Sequence, residues 1–239
     1  MHNKNGPDKV FCFKRFQIQH DRSSMKVGTD GVLLGSWCNV QGVNHVLDIG
    51  TGSGLIALIV AQRTYQEVTI DAVESDQASA EQALENFKNS PWNIRLKIYH
   101  TLIQNWQPDT LYDAIVCNPP FFINGLASPN SRRSSSRHTV QLTHEDLLKA
   151  AKRLLAPLGR FSMILPYKEG KNFLILASKH GLFCSRITEV KSKKHNPLER
   201  LLLEFTFESK VREVKALTLN TDDGGRSRDY QQLVEDFYL

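Results

Sequence analysis

An α/β fold, with a mainly parallel sheet and helices on both faces, is the architecture this sequence predicts. Three features carry the prediction. Short apolar runs alternate along the chain with helical stretches, the order that builds a parallel sheet through crossover helices. A glycine-rich turn joins the first of those runs to the first buried helix. The chain has 239 residues, 41% hydrophobic and 23% charged, which suits one cored domain with an extension.

Residues 1–9 are polar. The segment 10–20, VFCFKRFQIQH, partly alternates apolar and polar residues, as a surface strand does. MKVGTDGVLLGSW, 25–37, predicts a short helix with Thr29 or Asp30 as its cap. HVLDIG, 45–50, is a strand ending in glycine, and GLIALIVAQR, 54–63, is a buried helix. TIDAVE, 69–74, is the next strand, followed by an amphipathic helix over 77–89 and a strand RLKIYH over 95–100. YDAIVC, 112–117, is a fourth strand, stopped by Asn118-Pro119-Pro120 because proline has no N–H to give a ladder. Thr143 caps a helix over 144–155, and Gly159 precedes the strand RFSMIL, 160–165. A helix over 169–180 ends at Gly181. Strands near 182–190 and 200–208, a short tail strand, a DDGG turn and a helix over 228–237 complete the chain. Residues 1–40 read as an N-terminal extension closing over the ligand edge, and 41–239 as the α/β domain.

The formal net charge is +5, which fits a phosphate-rich partner. Cys12, Cys38, Cys117 and Cys184 have no C-x-x-C spacing, so they read as small buried thiols, not a zinc knuckle. No run approaches the roughly 18 apolar residues of a membrane span, and the first residues lack an apolar leader. A cytosolic protein with neither metal nor membrane partner is expected.

Two segments carry chemistry. Asp48-Ile49-Gly50-Thr51-Gly52-Ser53-Gly54 leaves a strand and opens a helix. Glycines there let a ligand approach the backbone, and the helix start supplies N–H groups. The spacing is G-x-G-x-G, not the G-x-G-x-x-G of dinucleotide sites, which favours another nucleoside ligand. Glu74, at the end of the next strand, can take both hydroxyls of a ribose, or can cap the helix that follows. The second segment is Asn118-Pro119-Pro120-Phe121, followed by Phe122. An aryl amine such as adenine N6 is a poor nucleophile because its lone pair is delocalised into the ring. The Asn118 side-chain oxygen and the Pro119 carbonyl can pull on its two hydrogens and localise that pair. Alignment of nitrogen, methyl carbon and sulfur does the rest. Phe121 or Phe122 can stack on an extruded base.

Together DIGTGSG, Glu74 at a strand end and NPPF resemble the class I amino-methyltransferases. MKVGTDGVLLGSW, VLDIGTGSGLIAL, NPPFF, an RH pair before a helix and the terminal DFYL are similar to one bacterial group within them. That group is the tRNA1(Val) (adenine-37-N6)-methyltransferases, and the resemblance runs over about residues 11–239. It implies a seven-stranded Rossmann-like sheet with the last strand antiparallel. It implies S-adenosylmethionine as donor and the adenosine 3′ of a valine tRNA anticodon as acceptor. Gly50, Gly52 and Gly54 would then line the methionine part, with Asp48, Thr51 and Ser75 beside them and Glu74 on the ribose. Lys26, Gly28, Thr29 and Asp30 would close over the donor. Many methyltransferases place an Asp after the third strand for the donor adenine. Here HTLIQNW, 100–106, has no acid, so Thr101, Leu102 or a backbone N–H must serve.

Arg132, Arg133, Arg137 and His138 follow the NPPFF segment and are candidates for phosphates near the target base. Lys191, Lys193, Lys194, His195 and Arg200 form a second basic cluster, and Lys14, Arg15, Arg22 and Lys26 a third. Each also suits an ordinary solvated face. The NPP pattern leaves open a protein-glutamine or guanine-N2 methyltransferase. A non-catalytic RNA-binding protein and, remotely, a dehydrogenase are the other classes.

Overall fold

The computed structural model describes residues 10–23, 25–119 and 142–239, together with the backbone of 122–123 and 126–127. The first described elements form an antiparallel hairpin, β1 (Val10–Cys12) and β2 (Gln17–Gln19). The turn between them divides what the sequence reads as one strand. Helix α1 (Thr29–Trp37) follows, with Gly28 as its N-cap and no side-chain cap. Thr29 and Asp30 therefore lie inside the first turn of α1, not at its cap.

The crossover units come next: β3 (His45–Ile49), α2 (Leu55–Arg63), β4 (Thr69–Glu74), α3 (Gln77–Lys88), β5 (Leu96–His100) and β6 (Tyr112–Cys117). A small ladder, β7 (Phe122–Ile123) with β8 (Leu126–Ala127), follows β6. Then come α4 (His144–Leu154), β9 (Leu155–Pro166), α5 (Tyr167–Lys179), β10 (Phe183–Lys191), β11 (Arg200–Thr206), β12 (Glu213–Thr218) and α6 (Arg228–Val234). Thr143 caps α4 in a reciprocal box with Asp146, the device the sequence signals. β9 starts at Leu155, ahead of Gly159, so strand pairing takes in the whole link from α4.

The sheet order is β12-β10-β11-β9-β6-β3-β4-β5. β5, β4, β3, β6 and β9 run parallel, β11 is antiparallel to both its neighbours, and β12 runs parallel to β10. The parallel α/β architecture is the expected one. β11, the seventh strand of this sheet in chain order, is antiparallel as expected and lies between β9 and β10; the difference is an eighth strand, the tail segment β12, which adds to the β10 edge.

Side chains alternate between two cores. Val46, Ala72, Val116 and Leu202 face one core with α1, α2, α3 and α6, and Leu47, Val73, Cys117 and Leu203 face another with α4 and α5. Helices α1 and α2 meet at Gly31 and Gly35, where an added Cβ would lie 3.0 Å from Leu55 and 2.9 Å from Ile59. The tail closes back on the start: Phe237 is buried, its carbonyl accepts from Lys14 N at 2.8 Å, and Tyr238 stacks on Phe13. Cys38, Cys117 and Cys184 are buried as expected, whereas Cys12 is exposed because the short β1 lies at the surface.

Candidate active site

Strand pairing builds the site. Ile49 of β3 pairs with Cys117 of β6, so Gly50 and Asn118 leave neighbouring strands side by side, one strand spacing or about 4.8 Å apart. On the other side Ile49 pairs with Val73 of β4, which places Glu74 at the same edge. Alternation does the rest. Asp48 follows Val46, Glu74 follows Ala72, and Asn118 follows Val116, so all three polar side chains leave the sheet on the α2 face.

The three turn glycines have different surroundings. All have positive φ: 68° at Gly50, 57° at Gly52 and 88° at Gly54. A Cβ on Gly50 would meet nothing within 4 Å, whereas one on Gly54 would lie 2.5 Å from the Phe87 ring of α3. Gly50 therefore faces open space and Gly54 serves packing at the start of α2. Gly52 lies under the N-terminal segment, its would-be Cβ 3.3 Å from Ser23 Oγ.

Asp48 is fully buried. Its Oδ2 accepts from the Thr51 hydroxyl at 2.6 Å and Ala57 N at 3.1 Å, while Oδ1 is buried without a partner among the described residues. Burial pushes its pKa up to about 7, against the pull of those two hydrogen bonds. Thr51 thus serves the site through Asp48. Asn118 is half-buried, and its Oδ1 is also buried without a partner among the described residues. Pro119 beside it is buried. The thiol of Cys117 is held well above its usual range by burial and by the Asp48 and Glu74 charges, so it is no nucleophile.

The cap of α3 is Asp76, whose side chain accepts from Ser79 N. Glu74 is left to brace the edge: Oε2 accepts from Gly52 N at 2.9 Å, and Oε1 from Ser75 N at 2.8 Å and Asp76 N at 2.9 Å. Oε2 keeps acceptor capacity beyond that one bond. Thr101 N–H is bonded to Glu74 O at 3.0 Å, which leaves the Thr101 hydroxyl and the Leu102 N–H to meet a ligand there.

The N-terminal segment descends onto this edge through two α3 residues that the sequence reading passed over. Gln82 Oε1 accepts from Arg22 N at 3.1 Å and Ser23 N at 2.8 Å, and its Nε2 donates to Asp21 Oδ1 at 2.7 Å. Asn86 Oδ1 accepts from Gln19 N at 2.9 Å, and its Nδ2 donates to both Gln19 O and Ser53 O at 2.8 Å. Both side chains are buried, at 0% and 3% exposure, on a helix whose polar residues otherwise suggest a solvated face. Only the buried polar residue itself was a signal, and sequence does not show burial.

Among the closing residues, Lys26 donates to His20 O at 2.8 Å, Gly28 starts α1, Thr29 is exposed, and Asp30 is paired with Arg200 at 2.9 Å. These contacts hold the segment together beside the glycine turn. Pro120, Phe121, Arg132, Arg133, Arg137 and His138 lie outside the described residues, and of Phe122 only the backbone is described.

The donor set suits a cationic nucleoside. Two buried oxygens without a partner among the described residues, a carboxylate on a strand end and open space over Gly50 lie together. Among the described residues, no group of His, Cys, Asp or Glu could hold a metal ion, and no helix is long and apolar enough to cross a membrane.

Comparison with known proteins agrees with this geometry. Residues 25–183 match the model of the methyltransferase small domain family. A protein of Photorhabdus laumondii named tRNA1(Val) (adenine(37)-N6)-methyltransferase is 43% identical over 96% of this chain and 95% of its own. One of the same name from Flavobacterium psychrophilum is 42% identical, covering 96% and 99%. Among solved structures, a predicted O-methyltransferase from Agrobacterium tumefaciens superposes with TM-score 0.68 at 17% identity, over 87% of this chain and 96% of its own. The glycopeptide N-methyltransferase MtfA complexed with S-adenosylmethionine gives 0.55 at 12%, over 77% and 100%. At those identities the structures speak for the fold alone.

Proposed function

The chain belongs to the tRNA1(Val) (adenine(37)-N6)-methyltransferase family, and we propose that it methylates N6 of adenosine 37 in a valine tRNA with Asn118 as the residue that readies the amine. S-adenosylmethionine, when bound, supplies an electrophilic methyl on a sulfonium. Asp48, Gly50, Glu74 and Ser75 would hold it, with Thr51 acting through Asp48 and with Thr101 and Leu102 at its adenine. Glu74 would accept the ribose hydroxyls on Oε2. Asp48 would be ionised opposite the ligand's positive charge, which offsets the burial that otherwise raises its pKa.

Asn118 Oδ1 and the Pro119 carbonyl would accept the two hydrogens of the adenine amine. Holding both in the plane of oriented dipoles draws the nitrogen lone pair out of conjugation and stabilises the positive charge that grows there. The nitrogen would take the methyl as the methyl's bond to sulfur breaks, leaving a neutral thioether, and one of the two amine protons would then pass to solvent, so that the neutral N6-methyl product remains. Pro120 and Phe121 would complete the turn, and Phe121 or Phe122 would stack on the base. Arg132, Arg133, Arg137 and His138 would meet the RNA beyond it.

The observation that carries the assignment of Asn118 is its buried oxygen, without a partner among the described residues, one strand away from the open Gly50 turn. The test is transfer of labelled methyl to undermodified tRNA1(Val), with a transcript lacking adenosine 37 as control. Asn118→Ala should keep donor affinity and lose turnover by about 100-fold or more, the scale of losing one oriented dipole. Near-normal turnover of Asn118→Ala would remove the role.

A further inference from the structure

Strand direction places a second surface at the same edge as the site. β9 and β10 end at the edge where β3 and β6 end, and β11 starts there. The first turn of α5, on the other face of the sheet from the Asn118 side chain, and the β10–β11 connection therefore stand along the same sheet edge as Asn118. They are joined directly: Tyr167 N–H donates to Glu199 O at 3.0 Å, and Arg200 pairs with Pro166 in register. Across the sheet, β9, β11 and β10 lie roughly 5, 10 and 15 Å from β6.

Lys168 and Lys171 are exposed on α5, three residues apart and so on one helix face. Lys191 ends β10, and Lys193, Lys194 and His195 follow on the connection to β11, Lys194 and His195 exposed. Lys168, Lys171, Lys191 and Lys194 enter no ion pair among the described residues. Of the acids nearby, Glu199 bonds the Ser192 hydroxyl and Asp30 holds Arg200, while Glu169 stands between the two lysines in the first turn of α5 and Asp223 of the tail turn is close enough to Lys193 to feel its charge. Lys193 alone leans on the tail turn, donating to Asp222 O at 3.3 Å. The third basic cluster differs, since Arg22 is paired with Glu85 and Lys14 donates to Glu235 O at 2.5 Å.

Resting on the tRNA reading above, we propose that Lys168, Lys171, Lys191, Lys193, Lys194 and His195 form one cationic shelf that holds RNA backbone phosphates flanking the target base. Two sequence-distant segments, each an ordinary basic stretch alone, converge there on the reaction edge. Lysines are flexible point charges, suited to a phosphate backbone whose path is read by position and not by base. The shelf sets affinity and orientation of the RNA, and it touches neither the donor nor the reacting nitrogen.

The experiment measures affinity for an unmodified tRNA1(Val) transcript over a salt series. The proteins are wild type, Lys168→Gln with Lys171→Gln, Lys191→Gln with Lys194→Gln, and all four together. Lys88→Gln with Lys152→Gln, at the opposite edge of the sheet, is the control. Each lost contact should flatten the slope of log K against log salt by about 0.7–0.9 and weaken binding roughly five- to tenfold at ~0.1 M salt. The loss should appear in KM for tRNA and not in kcat, with donor affinity by calorimetry unchanged. Shelf variants with the slope of wild type and control would overturn the proposal. Should wild type bind tRNA with a slope that the shelf variants lose, yet transfer no methyl, the shelf stands and the reaction assignment falls.

Discussion

Asn86→Ala tests how the N-terminal segment is held over the glycine turn. The side chain makes three hydrogen bonds, two to Gln19 and one to Ser53 O, in a site only 3% exposed. At about 1 kcal/mol net per bond the loss is about 3 kcal/mol, more if Gln19 N or Ser53 O is left buried without a partner. For a domain of this size that is roughly 6–12 °C in Tm. The Ser53 bond is the informative one, because Ser53 belongs to the glycine turn and Gln19 to β2. Removing Asn86 therefore loosens the turn and the segment above it together. Calorimetric donor affinity should fall at least several-fold at a temperature where the variant is fully folded, and kcat at saturating donor should change far less. Gln82→Ala, which frees Arg22, Ser23 and Asp21 but touches no turn atom, should give a similar Tm loss with its own fall in donor affinity. A variant that melts early yet binds donor with wild-type affinity would show that these residues only stabilise the fold, and the positioning argument would be refuted.

Asp48 predicts a pH signature in the donor-free protein. Its folded pKa is raised to about 7 by burial, against about 3.9 unfolded. Between about pH 4 and 7 the folded state holds a proton that the unfolded state has released, so stability falls as pH rises through that window and levels off above it. Asp48→Asn should lose that dependence, and equal urea midpoint differences between pH 5 and 8 in the two proteins would contradict it. Gly54→Ala forces both a left-handed backbone and a Cβ into the Phe87 ring, and about 3 kcal/mol of stability should be lost in urea melts. Gly50→Ala carries the backbone strain alone, about 1 kcal/mol, and should instead weaken donor binding because its Cβ enters the open space; unchanged calorimetric affinity would place the ligand elsewhere. Arg95 donates to Ala61 O, Thr64 O and Val68 O around the end of α2. Arg95→Met should cost about 2–4 kcal/mol by leaving those carbonyls unpaired, and a change under 0.5 kcal/mol would mean that water replaces the guanidinium.

Local rules were enough for much of this molecule. TIDAVE and YDAIVC become β4 and β6 over the residues that their apolar pattern marks, and Thr143 caps α4, because periodicity and capping act within a few residues. The glycine turn and the residue after β6 were legible for the same reason: each is one contiguous segment whose chemistry depends on its own backbone. What needed the folded chain was everything set by pairing between distant segments. β3 beside β6 brings Gly50 and Asn118 together across more than sixty residues. The burial of Gln82 and Asn86 depends on a hairpin packing over α3, and the packing role of Gly54 depends on Phe87. The eighth strand and the convergence of α5 with the β10–β11 connection likewise follow from sheet order. Sequence specifies which way a strand or helix presents its side chains. Which other segment meets them is a free-energy comparison over the whole chain, and only the tertiary structure reports its result.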